Sequence, residues 1–130
     1  MKFQGIFSFF FSFILKALAE KEKGNAAYKK KNFEVALEHY NNAAQLDSTN
    51  MTYLTNIAAV YFEQKEFTKC VEQCTKAIEV GRENRADFKL IAKAYTRIGN
   101  SFRKLKVKKF AAFYHNSRTT EETALLLALD

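Results

Sequence analysis

The chain has 130 residues, a formal net charge of +7 and a pI near 9.4, with 48% apolar and 27% charged residues. That length supports one hydrophobic core and not two, and that balance is globular and excludes a disordered chain. Proline is absent, glycine occurs four times and no stretch alternates apolar with polar residues as a half-buried strand would, so an all-α fold is expected.

Met1 to Ala19 differs in character from the rest of the chain. It has a basic start, an apolar run from Ile6 to Leu15, and Ala17-Leu18-Ala19 where a small-x-small cleavage site would lie, the layout of a secretory signal peptide. It is short for a transmembrane helix. Lys16 interrupts the approach to the cleavage site, and Ala17 to Ala19 are needed to begin the next helix. The other reading is an apolar extension, docked on the first helix pair or left exposed.

From Ala17 the pattern turns helical. A first inner helix is expected over Ala17 to Lys31, with Asn32 marking a turn. Phe33 to Asp47 forms its antiparallel partner, with Val35, Ala36, Tyr40, Ala43 and Leu46 inward. Ser48-Thr49-Asn50 breaks that helix, and Asn50 has the chemistry of an N-cap for the next. On that next helix, Thr52, Asn56, Ala59 and Glu63 share one face, while Ile57, Val60 and Tyr61 turn toward a partner helix. Phe67 to Val80 pairs back and ends at Gly81, expected to be a left-handed C-cap. Asn84 with Asp87 resembles a capping box opening a helix to about Leu105. Gly24 and Gly99, inside helices, are expected where helices approach closely. Phe110 to Tyr114 is expected to form a further outer helix, and Thr119 to Leu129 a closing one.

Sliding the chain against itself by 34 residues aligns Tyr28 with Phe62, Phe33 with Phe67, Ala36 with Cys70, Tyr40 with Cys74 and Ala43 with Ala77. Gly24 then falls on Ala58. A third copy begins near Ala92, where Tyr95, Ile98, Gly99 and Phe102 take up the pattern after about seven inserted residues. A period of 34 residues built from two helices is the signature of a tetratricopeptide repeat (TPR). One helix pair cannot bury its apolar face alone, so neighbours stack into a continuous core. The expected architecture is an all-α superhelix of three helix pairs plus a C-terminal capping helix. It divides into an apolar extension (1–16), a TPR domain (17–117, with repeats 17–50, 51–84 and about 92–117) and the cap (118–130).

Cys70 and Cys74 occupy packing positions, since they match Ala36 and Tyr40 of the preceding copy. His39 and His115 supply no ligand spacing, so neither metal nor cofactor is expected. Reduced thiols in a core fit a reducing compartment. Arg103 to Lys109 concentrates the positive charge, but no groove-reading or aromatic-interleaved module accompanies it, so nucleic acid is not an expected partner. No nucleophile, base and orienter occur together and no glycine loop cradles phosphate, so the chain is not read as an enzyme.

The polar residues of the inner helices carry the functional expectation. Lys21 and Asn25 lie four apart on the first, Asn56 is central on the second, and Lys93 and Arg97 lie four apart on the third. In a stacked array these cations and amides line one concave groove, with Glu63 the only acidic residue in line. Carboxylates are the natural guest, at about 1.5–3 kcal/mol for each charge-assisted bond.

At these residues, in KEKGNAAYKKKNF, NMTYLTNIAAVYFE, KAIEVGRENR and IAKAYTRIGNSF, the chain resembles the middle TPR domain of the Hsp-organizing (stress-induced phosphoprotein) co-chaperones, over about Leu18 to Phe102. The resemblance implies a two-carboxylate clamp for the C-terminal Met-Glu-Glu-Val-Asp tail of heat-shock protein 90, with a heat-shock protein 70 tail as a weaker alternative. It implies that Lys21, Asn25 and Asn56 hold the terminal carboxylate, Lys93 the last Asp side chain, and Arg97 the peptide backbone. Tyr28 and Glu63 would border the pocket upstream, and Asn100 and Ala59 would line the Val pocket. Leu90 stands where the family usually has a Gln that assists Lys93. The expected location is the cytoplasm, and a membrane is not an expected partner. The alternative is a secreted or membrane-associated TPR scaffold of unknown partner, if Met1 to Ala19 acts as a signal peptide.

Overall fold

The computed structural model describes the backbone of residues 2–116 and the side chains of residues 5–109. Among the described residues there are five helices and no strand: α1 (Lys2–Lys29), α2 (Phe33–Leu46), α3 (Met51–Glu63), α4 (Phe67–Glu83) and α5 (Phe88–Asn116). α1 packs on α2 and α3 on α4; α2 joins the first pair to α3, and α5 lies against α4 and touches α3. The inner helices are thus α1, α3 and α5, with α2 and α4 behind them. The expected closing helix at Thr119 to Leu129 falls outside the described residues.

The 34-residue shift aligns buried positions with buried positions. Ala36 and Cys70 are fully buried, as are Ala43 and Ala77, and Tyr40 and Cys74 are both in the core. One exchange between the copies explains a glycine. A Cβ on Gly24 would lie 2.5 Å from the Tyr40 ring, so α1 needs a glycine there to sit against that ring. In the second copy the pair becomes Ala58 and Cys74, packed in one cluster: the inner helix gains a methyl group where the outer residue shrinks.

The helix ends repeat as well. After α1, Asn32 N–H donates to Ala27 C=O and Lys31 N–H to Tyr28 C=O, and after α3 Glu66 and Lys65 donate likewise to Tyr61 and Phe62. After α4, Ala86 donates to Gly81 and Arg85 to Arg82. These are Schellman closures. Each places a residue other than glycine in the left-handed region: Lys31 at φ 60°, Lys65 at 62° and Arg85 at 53°. Asn50 caps α3 as expected, its Oδ1 accepting from Thr52 N–H at 3.0 Å.

Four expectations are corrected. Gly81 is no C-cap: it is buried inside α4, where a Cβ would lie 2.5 Å from Met51 Sδ, and Arg85 takes the left-handed position instead. Asp87 rather than Asn84 caps α5, accepting from Lys89 N–H at 2.9 Å, while Asn84 Nδ2 donates to Val80 C=O at the end of α4. α5 does not stop near Leu105 but runs unbroken to Asn116, so Phe110 to Tyr114 continues it and does not turn back as a separate outer helix. No glycine, proline or cap residue interrupts Phe102 to Asn116. Among the described residues nothing lies within 4 Å of a would-be Gly99 Cβ, so no helix approaches closely there, and Phe88, Tyr95 and Phe102 are exposed.

α1 carries the apolar N-terminal stretch as one continuous helix with the first repeat. Ala17 is fully buried and forms a small core with Ala43 and Tyr53. Cleavage after Ala19 would remove it.

Candidate functional site

On α1 the site begins with Asn25. Its Oδ1 accepts from the Tyr40 hydroxyl of α2 at 2.6 Å, which fixes the orientation of the amide and commits Nδ2 to donate elsewhere. Burial, with smaller effects from Tyr28 and Glu22, pushes the Tyr40 phenol up to about 12, so it stays a donor throughout the physiological range. One turn earlier Lys21 is half-buried and pairs with Glu22 at 3.4 Å. That corrects the expectation that Glu63 alone could neutralise the cations. Glu22 is well exposed, so the pair is one that solvent screens. The neighbouring Glu20 turns to α2, where it accepts from His39 Nδ1 at 2.7 Å and from Lys23 at 3.3 Å. The His39 bond is the largest influence and lowers the Glu20 carboxyl, burial opposes it, and Lys23 and Asn42 add to the lowering.

On α3 the helical repeat brings Thr52, Asn56 and Ala59 to one half-buried face, with Glu63 exposed at its end. Among the described residues the Asn56 side chain has no hydrogen-bond partner, and on α5 the exposed Lys93 has neither a hydrogen bond nor an ion pair. Arg97, one turn beyond Lys93, behaves differently. Its Nη1 donates to the Thr55 C=O of α3 at 3.0 Å, a bond that ties the third inner helix to the second. Asn100 accepts from Arg103 of the following turn.

Tyr28, Glu63 and Arg97 sit on three different helices and share one field. Burial raises the Tyr28 phenol, Glu63 raises it further and Arg97 lowers it. The Arg97 charge also acts on the two thiols beneath the groove. Cys74 is pushed up by its hydrogen bond to Cys70 and by burial, while Cys70, which also accepts from Ser101 Oγ at 3.2 Å, is held down. Both sulfurs are fully buried and reduced, as their packing positions imply. Leu90 is partly buried against the α3–α4–α5 core and brings no polar atom to Lys93. Among the described residues no group of three or more His, Cys, Asp or Glu could hold a metal.

Sequence reasoning missed the Tyr40 pin and the Arg97 bridge. The first was legible in part, because Tyr40 is inward on the helix facing Asn25. The second was not, since nothing in the sequence says which carbonyl lies 42 residues away.

Two helix pairs related by a 34-residue shift, with a fifth helix continuing the stack and polar residues along the inner helices, define a tetratricopeptide-repeat domain. A family model described as TPR repeat matches residues 24–65. The chain is 56% identical over 102 residues to stress-induced-phosphoprotein 1 of Caenorhabditis elegans, covering 78% of this chain and 32% of that protein. Among solved structures, the N-terminal domain of the C. elegans stress-induced protein-1 superimposes with a TM-score of 0.71 at 48% identity, over 90% of this chain and 96% of that one. The yeast Sti1 TPR2AB domain, solved as a complex with an HSP90 peptide, gives a TM-score of 0.67 at 37% identity, over 86% of this chain and 45% of that one. The chain therefore belongs to the TPR domains of the stress-induced-phosphoprotein co-chaperones, a family of adaptors and not of enzymes. It spans about a third of the length of the C. elegans protein.

Proposed function

We propose that this chain is an adaptor module that grips the acidic C-terminal tail of heat-shock protein 90 in the groove of α1, α3 and α5. The observation that carries the reading is the state of the polar groups there. Asn25 is oriented by Tyr40, while Asn56 and Lys93 hold no partner among the described residues. Asn25, held in place before the ligand arrives, loses little entropy on binding, while Asn56 and Lys93 have donors left to give. In this reading Lys21, Asn25 and Asn56 hold the terminal carboxylate, and Lys93 holds the last Asp side chain. Arg97, already tied to Thr55, keeps further donors for the peptide backbone. Tyr28 and Glu63 border the upstream residues, and Ala59 and Asn100 line the Val pocket. With Leu90 turned to the core, Lys93 works without a neighbouring amide, so that half of the clamp is the weaker one. A heat-shock protein 70 tail ends in the same chemistry and is the weaker alternative. The cytoplasm, where such tails are found, is the expected compartment.

The support is threefold: cations and amides on three inner helices, family membership, and the HSP90 peptide in the yeast neighbour. The test is calorimetric titration with a Met-Glu-Glu-Val-Asp pentapeptide as the free acid and as the C-terminal amide. The free acid should bind with a Kd of about micromolar, more weakly as salt rises, and the amide should not bind measurably. Equal affinities would refute the clamp. The secreted reading has a separate test, N-terminal sequencing of the expressed protein. A mature start at Glu20 would support it, and would have to dispense with Ala17, which the core holds between Ala43 and Tyr53.

A further inference from the structure

The first turns of α1 take no part in the packing that holds the repeats together. Between Ile6 and Leu15 only Phe13 is partly covered, and the exposed set includes Phe7 at 72% and Phe9 and Phe10 at 61% each. At roughly 100° per residue, these side chains occupy roughly three-quarters of the helix circumference. What remains is a narrow strip of Gly5, Ser8, Ser12 and Lys16, spaced by three, four and four.

That distribution decides what can cover the segment. A protein groove or a second helix buries one face and would leave the other rings in water. An acyl-chain medium wraps an arc of any width, and the narrow strip then marks the side that meets headgroups. Length decides how the helix lies. Residues 5–16 rise about 18 Å, well short of the ~30 Å hydrocarbon core. Among the described residues no helix is long and apolar enough to cross a membrane. Charge points to the headgroup. Lys2 and Lys16 flank the segment, and no carboxylate precedes Glu20. Lys16 ends the polar strip with its Nζ 5.7 Å above the Phe13 ring, so its apolar stem lies along the helix and its ammonium stands at the boundary.

We propose that residues 5–16 of α1 insert into one leaflet of a bilayer carrying anionic phospholipid, and hold the repeat domain at a membrane surface without crossing it. The sequence pattern alone did not make a membrane an expected partner; the exposure on nearly every side of the helix does. Lys21 and Asn25 lie beyond Lys16, on the part of α1 that packs against α2. The anchor works independently of what the groove binds.

The experiment is flotation of the full chain with phosphatidylcholine vesicles, alone or with about 30% phosphatidylserine. The protein should float with the anionic vesicles, about tenfold more than with the neutral ones. A Phe7→Ser/Phe10→Ser/Phe11→Ser variant should stay at the bottom of the gradient, with the wild-type circular dichroism spectrum and melting temperature, because those rings support no core. A Phe10→Trp variant should show a blue-shifted emission only with anionic vesicles. Failure of the wild-type chain to float overturns the proposal, as does unchanged flotation of the triple variant. A wild-type oligomer that does not float, and that the triple variant dissolves to monomers, would show that further copies of the chain cover the rings. Equal flotation on both vesicle types would overturn the anionic headgroup.

Discussion

Replacing Gly24 by Ala tests how the groove is built. In an ordinary helix interior the change is worth about 1 kcal/mol in favour of Ala. Here the new Cβ would lie 2.5 Å from Tyr40 Cε1 and 2.6 Å from Cδ1. The ring has no room to yield, being 2% exposed, and its hydroxyl is tied to Asn25 at 2.6 Å. Overpacking of this kind costs about 1–3 kcal/mol, and losing the hydroxyl bond about 1 kcal/mol more. Set against the propensity gain, Gly24→Ala should destabilise the domain by about 1–3 kcal/mol, read as a lower urea midpoint at unchanged slope. The second copy supplies the control, since it pairs Ala58 with Cys74. In a Tyr40→Cys background the same Gly24→Ala change should be neutral or should stabilise by up to about 1 kcal/mol. Tail-peptide affinity should fall with Gly24→Ala as well, because Asn25 loses the bond that orients it. Stabilisation by Gly24→Ala in the wild-type background would refute the argument.

Other outcomes are expected at particular residues. Lys65→Gly, at φ 62°, should raise stability by about 1 kcal/mol, and Arg85→Gly should act in the same direction, both read from urea midpoints. Glu20 has a folded value below its ordinary 4.5, so its contribution is present above about that pH and is lost as pH falls through the lower folded value. Glu20→Gln should therefore flatten the acid limb of a stability-against-pH curve below pH ~4.5. Leu90→Gln should strengthen tail binding by about 0.5–1.5 kcal/mol in calorimetry if the new amide assists Lys93, while lowering stability because Leu90 packs on the α3–α4–α5 core.

What the sequence made legible was what local periodicity controls. Ala36, Tyr40, Ala43, Cys70, Cys74 and Ala77 all lie where the 34-residue shift puts them, and Asn50 caps the helix it precedes. The expectations that failed each needed knowledge of a neighbour. Gly81 reads as a helix end because glycines commonly are, but it is there for Met51, thirty residues earlier in the chain. Three basic residues, Lys31, Lys65 and Arg85, take the left-handed positions where glycine would be looked for, so the true helix ends carry no local mark. α5 reads as two helices because the preceding repeats have a turn there, whereas its own residues contain nothing that stops a helix. On the groove, the shared face of Thr52, Asn56, Ala59 and Glu63 comes from spacing. The Arg97 bond to Thr55 and the Lys21 pair with Glu22 depend on side-chain paths that spacing does not fix.

A double-mutant cycle between Lys93→Ala in the protein and Asp→Asn at the last residue of the pentapeptide tests the clamp most directly, because it isolates one contact from every other change. If the Lys93 ammonium holds that carboxylate, the coupling energy in calorimetric titrations at low salt should be at least about 1 kcal/mol, with the protein's circular dichroism unchanged. Coupling indistinguishable from zero, with each single change weakening binding by itself, would mean that the tail does not lie across α5 as the clamp requires.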